Sequence, residues 1–191
     1  MISASLVKEL RETSGAGMMD CKKALEETNG DMRAALDYLR EKGFATANKK
    51  SGRIAAEGLA DIFVDGNKAV IVEVNSETDF VSKNPEFKEM ITMIGDSILK
   101  SEALTLDEAL ELPCESGIIN DLIVAKTAKI GEKLSLRRFE VLTKSDEQNF
   151  GVYSHNGGKI AVLSIISGGD AEIAKDISMQ SAAMRPLYVL Q

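Results

Sequence analysis

The 191-residue sequence predicts an α+β fold: three short N-terminal helices, a linker, then a core of two related hairpin-plus-helix subdomains, the second incomplete. Three observations predict it. Residues 4–43 carry apolar residues at helical spacing, broken by glycine-containing turns. From Leu59 the pattern changes to that of strands, with Asp65-Gly66-Asn67 as a hairpin turn. The hairpin signal then returns at Asn156-Gly157-Gly158, where Asn156 lies 91 residues (156 − 65) beyond Asp65.

The first helix presents Leu6, Val7 and Leu10 on one face and ends at Ser14-Gly-Ala-Gly17, where glycine is free to take positive φ. Asp20 is placed to cap a second helix with Cys21, Ala24 and Leu25 inward. Asn29-Gly30 turns the chain, Asp31 caps the third helix, and Met32, Ala35, Leu36 and Leu39 form its stripe. Gly43 stands where a C-terminal cap is wanted. So short a segment builds only a marginal core, so residues 1–43 read as a small docking module. Residues 44–57 are expected to be a linker. Lys42 to Arg53 holds four basic residues and no acidic one. That stretch reads either as a basic tether for an acidic partner or as a solvated linker helix, the second being the more economical.

Residues 58–144 form the first expected core unit. Lys68 to Val74 is an apolar strand, and Asn84-Pro85 supplies an N-cap and a first-turn proline. Phe87, Ile91, Ile94 and Ile98 mark the face of the helix that follows. Leu104 to Leu112 is a weaker helical stretch. Ser116 to Ile130 is a clear helix, with Ile118, Ile119, Leu122 and Ile123 inward and Gly131 as its stop. Leu134 and Leu136, then Phe139 and Val141, predict a third strand whose face changes at Arg137-Arg138, the mark of a bulge. Residues 145–191 repeat the hairpin, Phe150 to His155 and Lys159 to Ile166, and a helix over Ala171 to Met184 with Ile173, Ile177 and Met184 on one side. They have no counterpart of residues 101–142, hence no third strand.

Composition narrows the function. The chain is 44% apolar and 28% charged, with a net charge of −7, which argues against a direct nucleic-acid partner. Residues 1–58 hold 10 basic and 9 acidic side chains, so the remainder carries −8 of the total of −7. Cys21 and Cys114 fit no disulfide framework or zinc spacing and are expected as free thiols in a reducing cytoplasm. The N-terminus lacks a signal-peptide core, and no apolar run approaches the length of a bilayer span, so no membrane partner is expected. The only histidine, His155, sits beside a hairpin turn with no nucleophile in an evident motif. There is no phosphate loop; Gly15-Ala-Gly17 is a helix–helix turn. No cofactor, metal or catalytic site is expected, and a chain of this kind acts by binding rather than as an enzyme.

One block stands apart from this bland background. After the apolar strand come Asn75-Ser-Glu77 and then Thr78-Asp79-Phe80-Val81. The strand delivers a carboxylate and an aromatic ring onto a polar loop. Water gives Phe80 no reason to sit there, so the ring either packs locally or docks into a partner, and the carboxylate suggests a target where charge or a bound metal matters.

Ser5 to Glu12, Thr13 to Leu25, Asn29-Gly-Asp31, Lys49-Lys50, Glu73-Val-Asn75, Thr78 to Val81, Ala128 to Glu132 and Arg137-Arg138 together resemble the elongation factor Ts family. The matches run in order over nearly the whole chain. One departure is Ser14, where the family usually has threonine before Gly-Ala-Gly. The resemblance implies a UBA-like module at 1–43, the 44–57 linker and core subdomains at 58–144 and 145–191. It implies a guanine-nucleotide exchange factor that binds the translational GTPase elongation factor Tu. In the family, the loop matching Thr78, Asp79, Phe80 and Val81 disturbs the magnesium and phosphate site of the GTPase. The N-terminal module also touches the GTPase, for which Met18 and Met19 are the natural contacts, one of them expected in the core. His155 matches a histidine near the interface. A homodimer is implied for the full-length form, and the end at Gln191 suggests a shortened long form. The rival is a UBA-type adaptor that binds ubiquitin-like or peptide partners through Met18-Met19 without exchange activity.

Overall fold

The computed structural model describes residues 2–115 and 117–187. Met1, Ser116 (the expected start of a core helix) and residues 188–191, with the chain end at Gln191, lie outside them. Among the described residues helix and sheet mix as the α+β expectation requires, and no helix is long and apolar enough to cross a membrane.

Three helices open the chain. α1 (Ala4–Ser14) starts at Ser3, whose hydroxyl accepts the Leu6 N–H, and stops at Gly15 in the left-handed region, φ 65°. α2 (Met18–Glu27) and α3 (Met32–Lys50) follow, and Asp31 caps α3 by accepting the Ala34 N–H. Asp20 does not cap α2. Gly17 takes that place, and Asp20 lies in the first turn, 2.5 Å from Lys42 Nζ. Val7, Leu10, Cys21, Ala24, Leu25 and Ala35 close a small core of their own.

The core begins with an antiparallel hairpin, β1 (Glu57–Asp65) and β2 (Lys68–Ser76). A helical turn, α4 (Asp79–Ser82), leads to α5 (Pro85–Leu99), capped by Asn84 with Pro85 in its first turn as expected. α6 (Leu106–Leu110) is held by a Thr105/Glu108 capping box. The short strands β3 (Pro113–Cys114) and β4 (Gly117–Ile118) precede α7 (Ile119–Ile130), which Gly131 ends at φ 87°. Ile118 is therefore the residue before the helix and half-buried, not part of its inward face. β5 (Ser135–Thr143) joins β2 to give the order β1-β2-β5. Glu73 opposes Arg138 while Val74 opposes Leu136, so Arg137 is the extra residue of the expected bulge. Val70, Val72 and Val74 of β2 meet Phe87, Ile91, Ile94 and Ile98 of α5 in the main core.

α3 runs seven residues past Gly43, so Gly43 is not a cap; residues 44–50 are helical, as the linker-helix reading has it, but continuous with α3. No proline breaks this stretch, and α7 gives it a surface to pack on. Gly43 is buried against α7, where a Cβ would lie in ordinary contact 3.6 Å from Val124 Cγ1. Arg40 pairs with Asp121, and Lys50 Nζ donates to the Gly131 carbonyl at 2.6 Å.

β6 (Gln148–His155) and β7 (Ile160–Ser167) form a second hairpin followed by α8 (Ala171–Met184), the same order as β1, β2 and α5. Among the described residues this sheet has two strands. α8 packs through its small residues: Ala174, Ser178 and Ala182 are buried, whereas Ile173, Ile177 and Met184 face outward. The hairpin sets this choice. Gly151 on β6 allows close approach, and the Ser164 and Ser178 hydroxyls bond at 2.8 Å across the contact. The second hairpin's turn touches the first sheet, where the Ala60 N–H donates to Gly158 O at 2.8 Å and Lys159 Nζ meets Glu57 Oε2 at 2.6 Å.

Candidate functional site

β2 ends at a turn held by residues far away in sequence. The Thr78 N–H donates to Glu132 Oε2 at 2.9 Å, and the Thr78 hydroxyl donates to Glu132 Oε1 at 2.6 Å. The bond pattern is reciprocal: the Lys133 N–H donates to Glu77 Oε1 at 2.6 Å. Two adjacent residues leaving β2 are thus clamped to two adjacent residues entering β5. A third segment joins them. Arg53 lies 3.2 Å from Glu77, and Lys133 Nζ donates to the Ser51 and Arg53 carbonyls at 2.6 and 3.0 Å.

On this base the single turn α4 divides its side chains. Val81 and Ser82 are buried, and the Ser82 hydroxyl donates to the Asp79 carbonyl at 2.6 Å. Phe80 points the other way and is 78% exposed. Lys83 Nζ lies 5.9 Å from the Phe80 ring centroid and 3.3 Å from Asp79 Oδ2. Of the two options the sequence left for the ring, local packing is not taken. The ring therefore stands in solvent on a turn whose backbone is braced from outside. Val81 lies beneath it and belongs to the anchor.

The Lys133 N–H holds the Glu77 carboxyl below its ordinary value of 4.5 against the opposing effect of burial, with a further, smaller contribution from Arg53. A carboxylate lowered in the folded state contributes stability above its unfolded pKa and loses it as pH falls through the lower folded value. Stability is therefore expected to hold from neutral pH to about 4.5 and to decline below it, with Glu77 contributing to the fall. Glu77→Gln should flatten that acid limb in a series of thermal melts; an unchanged pH profile would show that the clamp carries no such linkage.

Met18 and Met19 open α2 and are 57% and 73% exposed, so neither is in the core. They border a groove that also includes Val7, Ala16 and Ala128. His155 ends β6 in the open, its Nδ1 3.2 Å from the Tyr153 hydroxyl. The clamp residues Arg53, Glu132 and Lys133 were not singled out by sequence reasoning. Glu132 falls within a stretch that carries the family resemblance, but its partner Thr78 is 54 residues away and no local spacing reveals the pair.

The family model described as elongation factor TS matches residues 77–191, from the clamp's first carboxylate onward. The chain belongs to the elongation factor Ts family. Elongation factor Ts of Lactiplantibacillus plantarum is 52% identical over 188 residues, covering 98% of this chain and 64% of that protein. Elongation factor Ts of Streptococcus pyogenes serotype M49 is 54% identical over 186 residues, covering 97% of this chain and 54% of that protein. The chain thus spans a little over half to just under two thirds of the length of these elongation factor Ts relatives.

Proposed function

We propose that the chain binds elongation factor Tu in the cytoplasm and promotes GDP release during translation elongation, acting by binding alone. The observation that carries this reading is Phe80, exposed on a turn whose backbone is clamped from outside. A GTPase holds its nucleotide through an intact phosphate loop and Mg²⁺. Insertion of the Thr78-Asp79-Phe80-Val81 turn near that site stabilises a GTPase conformation in which both are displaced. A 10⁴-fold faster release needs about 5.5 kcal/mol of differential stabilisation. Burying one Phe side chain supplies roughly 1.5–3 kcal/mol, so the remaining interface contributes the rest. In this reading residues 1–43 dock, 44–57 join them to the core, and 58–144 and 145–191 are the two core units, with His155 at the second contact. The test is release of fluorescent GDP from elongation factor Tu with and without the chain, where acceleration is expected and an unchanged rate rejects the proposal.

Met18 and Met19 are assigned to affinity. Exchanging both for serine should raise the half-saturating concentration for GDP release by about 10-fold, since two partly buried apolar side chains are lost from the interface. The saturating rate should stay near that of the parent. Unaltered half-saturation would remove the N-terminal module from the contact. The exposed Met18-Met19 groove also suits a second reading, an adaptor that binds peptide or ubiquitin-like partners. Such an adaptor would keep its function after Phe80→Ala, which separates the two.

A further inference from the structure

The direction of the Phe80 ring is set by groups outside its own turn. α4 has only four residues, and so short a helical segment has little stability of its own. Its preceding residue, Thr78, is extended at φ −125°, and its side chain makes no capping bond to the turn. The hydroxyl that would cap α4 is committed to Glu132, as is the Thr78 N–H. One carboxylate therefore fixes both the backbone and the side chain of the residue that launches the turn. Glu132 is itself held from its other side, because the next peptide N–H, that of Lys133, is bonded to Glu77. Glu77-Thr78 and Glu132-Lys133 form a closed double clamp, with Arg53 on its outer edge.

We propose that Glu132 is a positioning residue for nucleotide release: by holding Thr78 through two hydrogen bonds, it fixes α4 and aims Phe80. The inference rests on the exchange function proposed above. Among the described residues, both bonds that the Glu132 carboxylate accepts come from Thr78. The core under the turn is made by Val81 with β2 and α5, through apolar packing that does not involve the carboxylate. Loss of Glu132 therefore frees the turn more than it loosens the fold. Exchange depends on where the ring enters the partner, and misplacement of a contact group by about 1 Å costs rate steeply.

The experiment uses the full chain with Glu132→Ala, Glu132→Gln, Phe80→Ala and the double variant Phe80→Ala/Glu132→Ala. Fluorescent-GDP release from elongation factor Tu is followed over a concentration series to separate the saturating rate from the half-saturating concentration. Glu132→Ala should lower the saturating rate on the order of 10-fold, with a much smaller shift in half-saturation. Glu132→Gln retains an acceptor oxygen for Thr78 and should recover most of the rate. In the Phe80→Ala background, Glu132→Ala should cost nothing further, because the group it positions is gone. An equal loss in both backgrounds, or a loss confined to half-saturation, overturns the proposal. If Glu132→Ala does not fold, Thr78→Val tests the hydroxyl bond alone, with a fall of a few-fold expected and an unchanged rate contradicting it. Amide hydrogen exchange gives a readout independent of the GTPase: residues 78–82 should exchange faster in Glu132→Ala while 87–98 do not change. If the parent chain fails to accelerate release, the exchange function falls on that measurement. Faster exchange confined to 78–82 would still identify the clamp, and unchanged exchange there would remove it.

Discussion

Phe80→Ala should slow GDP release from elongation factor Tu by about 10- to 100-fold, the equivalent of burying one Phe side chain in the partner. Its melting temperature should move by no more than about 2 °C, because substitutions at exposed sites usually change stability by under about 0.5 kcal/mol. The two readouts part because the ring is 78% exposed and the anchor of the turn is Val81 beneath it. Asp79→Ala should slow release less, since Asp79 pairs only with Lys83 on its own turn among the described contacts. Comparable losses of exchange and of melting temperature in Phe80→Ala would show that the ring serves the fold instead.

A large effect on stability is expected from Gly151→Ala. A methyl there would overlap the Ala174 carbonyl oxygen and the Ser178 and Ser164 hydroxyls. A serine can rotate, but a carbonyl within α8 moves only if the helix moves. α8 would have to lift from β6 and β7, uncovering Ala174, Ser178 and Ala182. Overpacking of this kind costs about 1–3 kcal/mol, and a two-stranded sheet with one helix has little to spare. The expected outcome is a melting temperature lower by about 3–10 °C. Amide exchange should rise over 148–184 and stay low over 68–99. A melt superimposable on the parent's would mean that α8 sits farther from β6 than the Ala174 carbonyl and the Ser178 hydroxyl imply.

Features governed by neighbours in sequence were readable from the chain. Gly131 ends α7 and Asn84 and Pro85 start α5, each because the local backbone needs that residue type, and the bulge at Arg137 shows as a change of face in the apolar pattern of β5. The apolar stripe of α5 was likewise visible at helical spacing. What escaped depends on partners distant in sequence. Gly43 looked like a stop because glycine commonly ends helices, yet α7 lies against it and the helix continues. Ile173 and Ile177 looked like the inward side of α8 because they are apolar, but close approach at Gly151 admits only small residues there. One of Met18 and Met19 is expected in the core, yet both are exposed, and Cys21, Ala24 and Leu25 supply the buried side of α2. At the candidate site, Phe80 was evident as a ring out of place in a polar loop. The clamp that holds it joins residues more than 50 positions apart, and only the antiparallel pairing of β2 with β5 brings them together.

On the proposed function, this chain changes the rate at which elongation factor Tu loses its nucleotide. Stopped-flow release of fluorescent GDP from preloaded elongation factor Tu, chased with excess unlabelled GDP, measures that rate directly. The predicted result is a release rate that rises with chain concentration and then saturates, while the final occupancy set by the two GDP pools stays the same. A release rate that remains at the spontaneous value at micromolar chain would contradict that function.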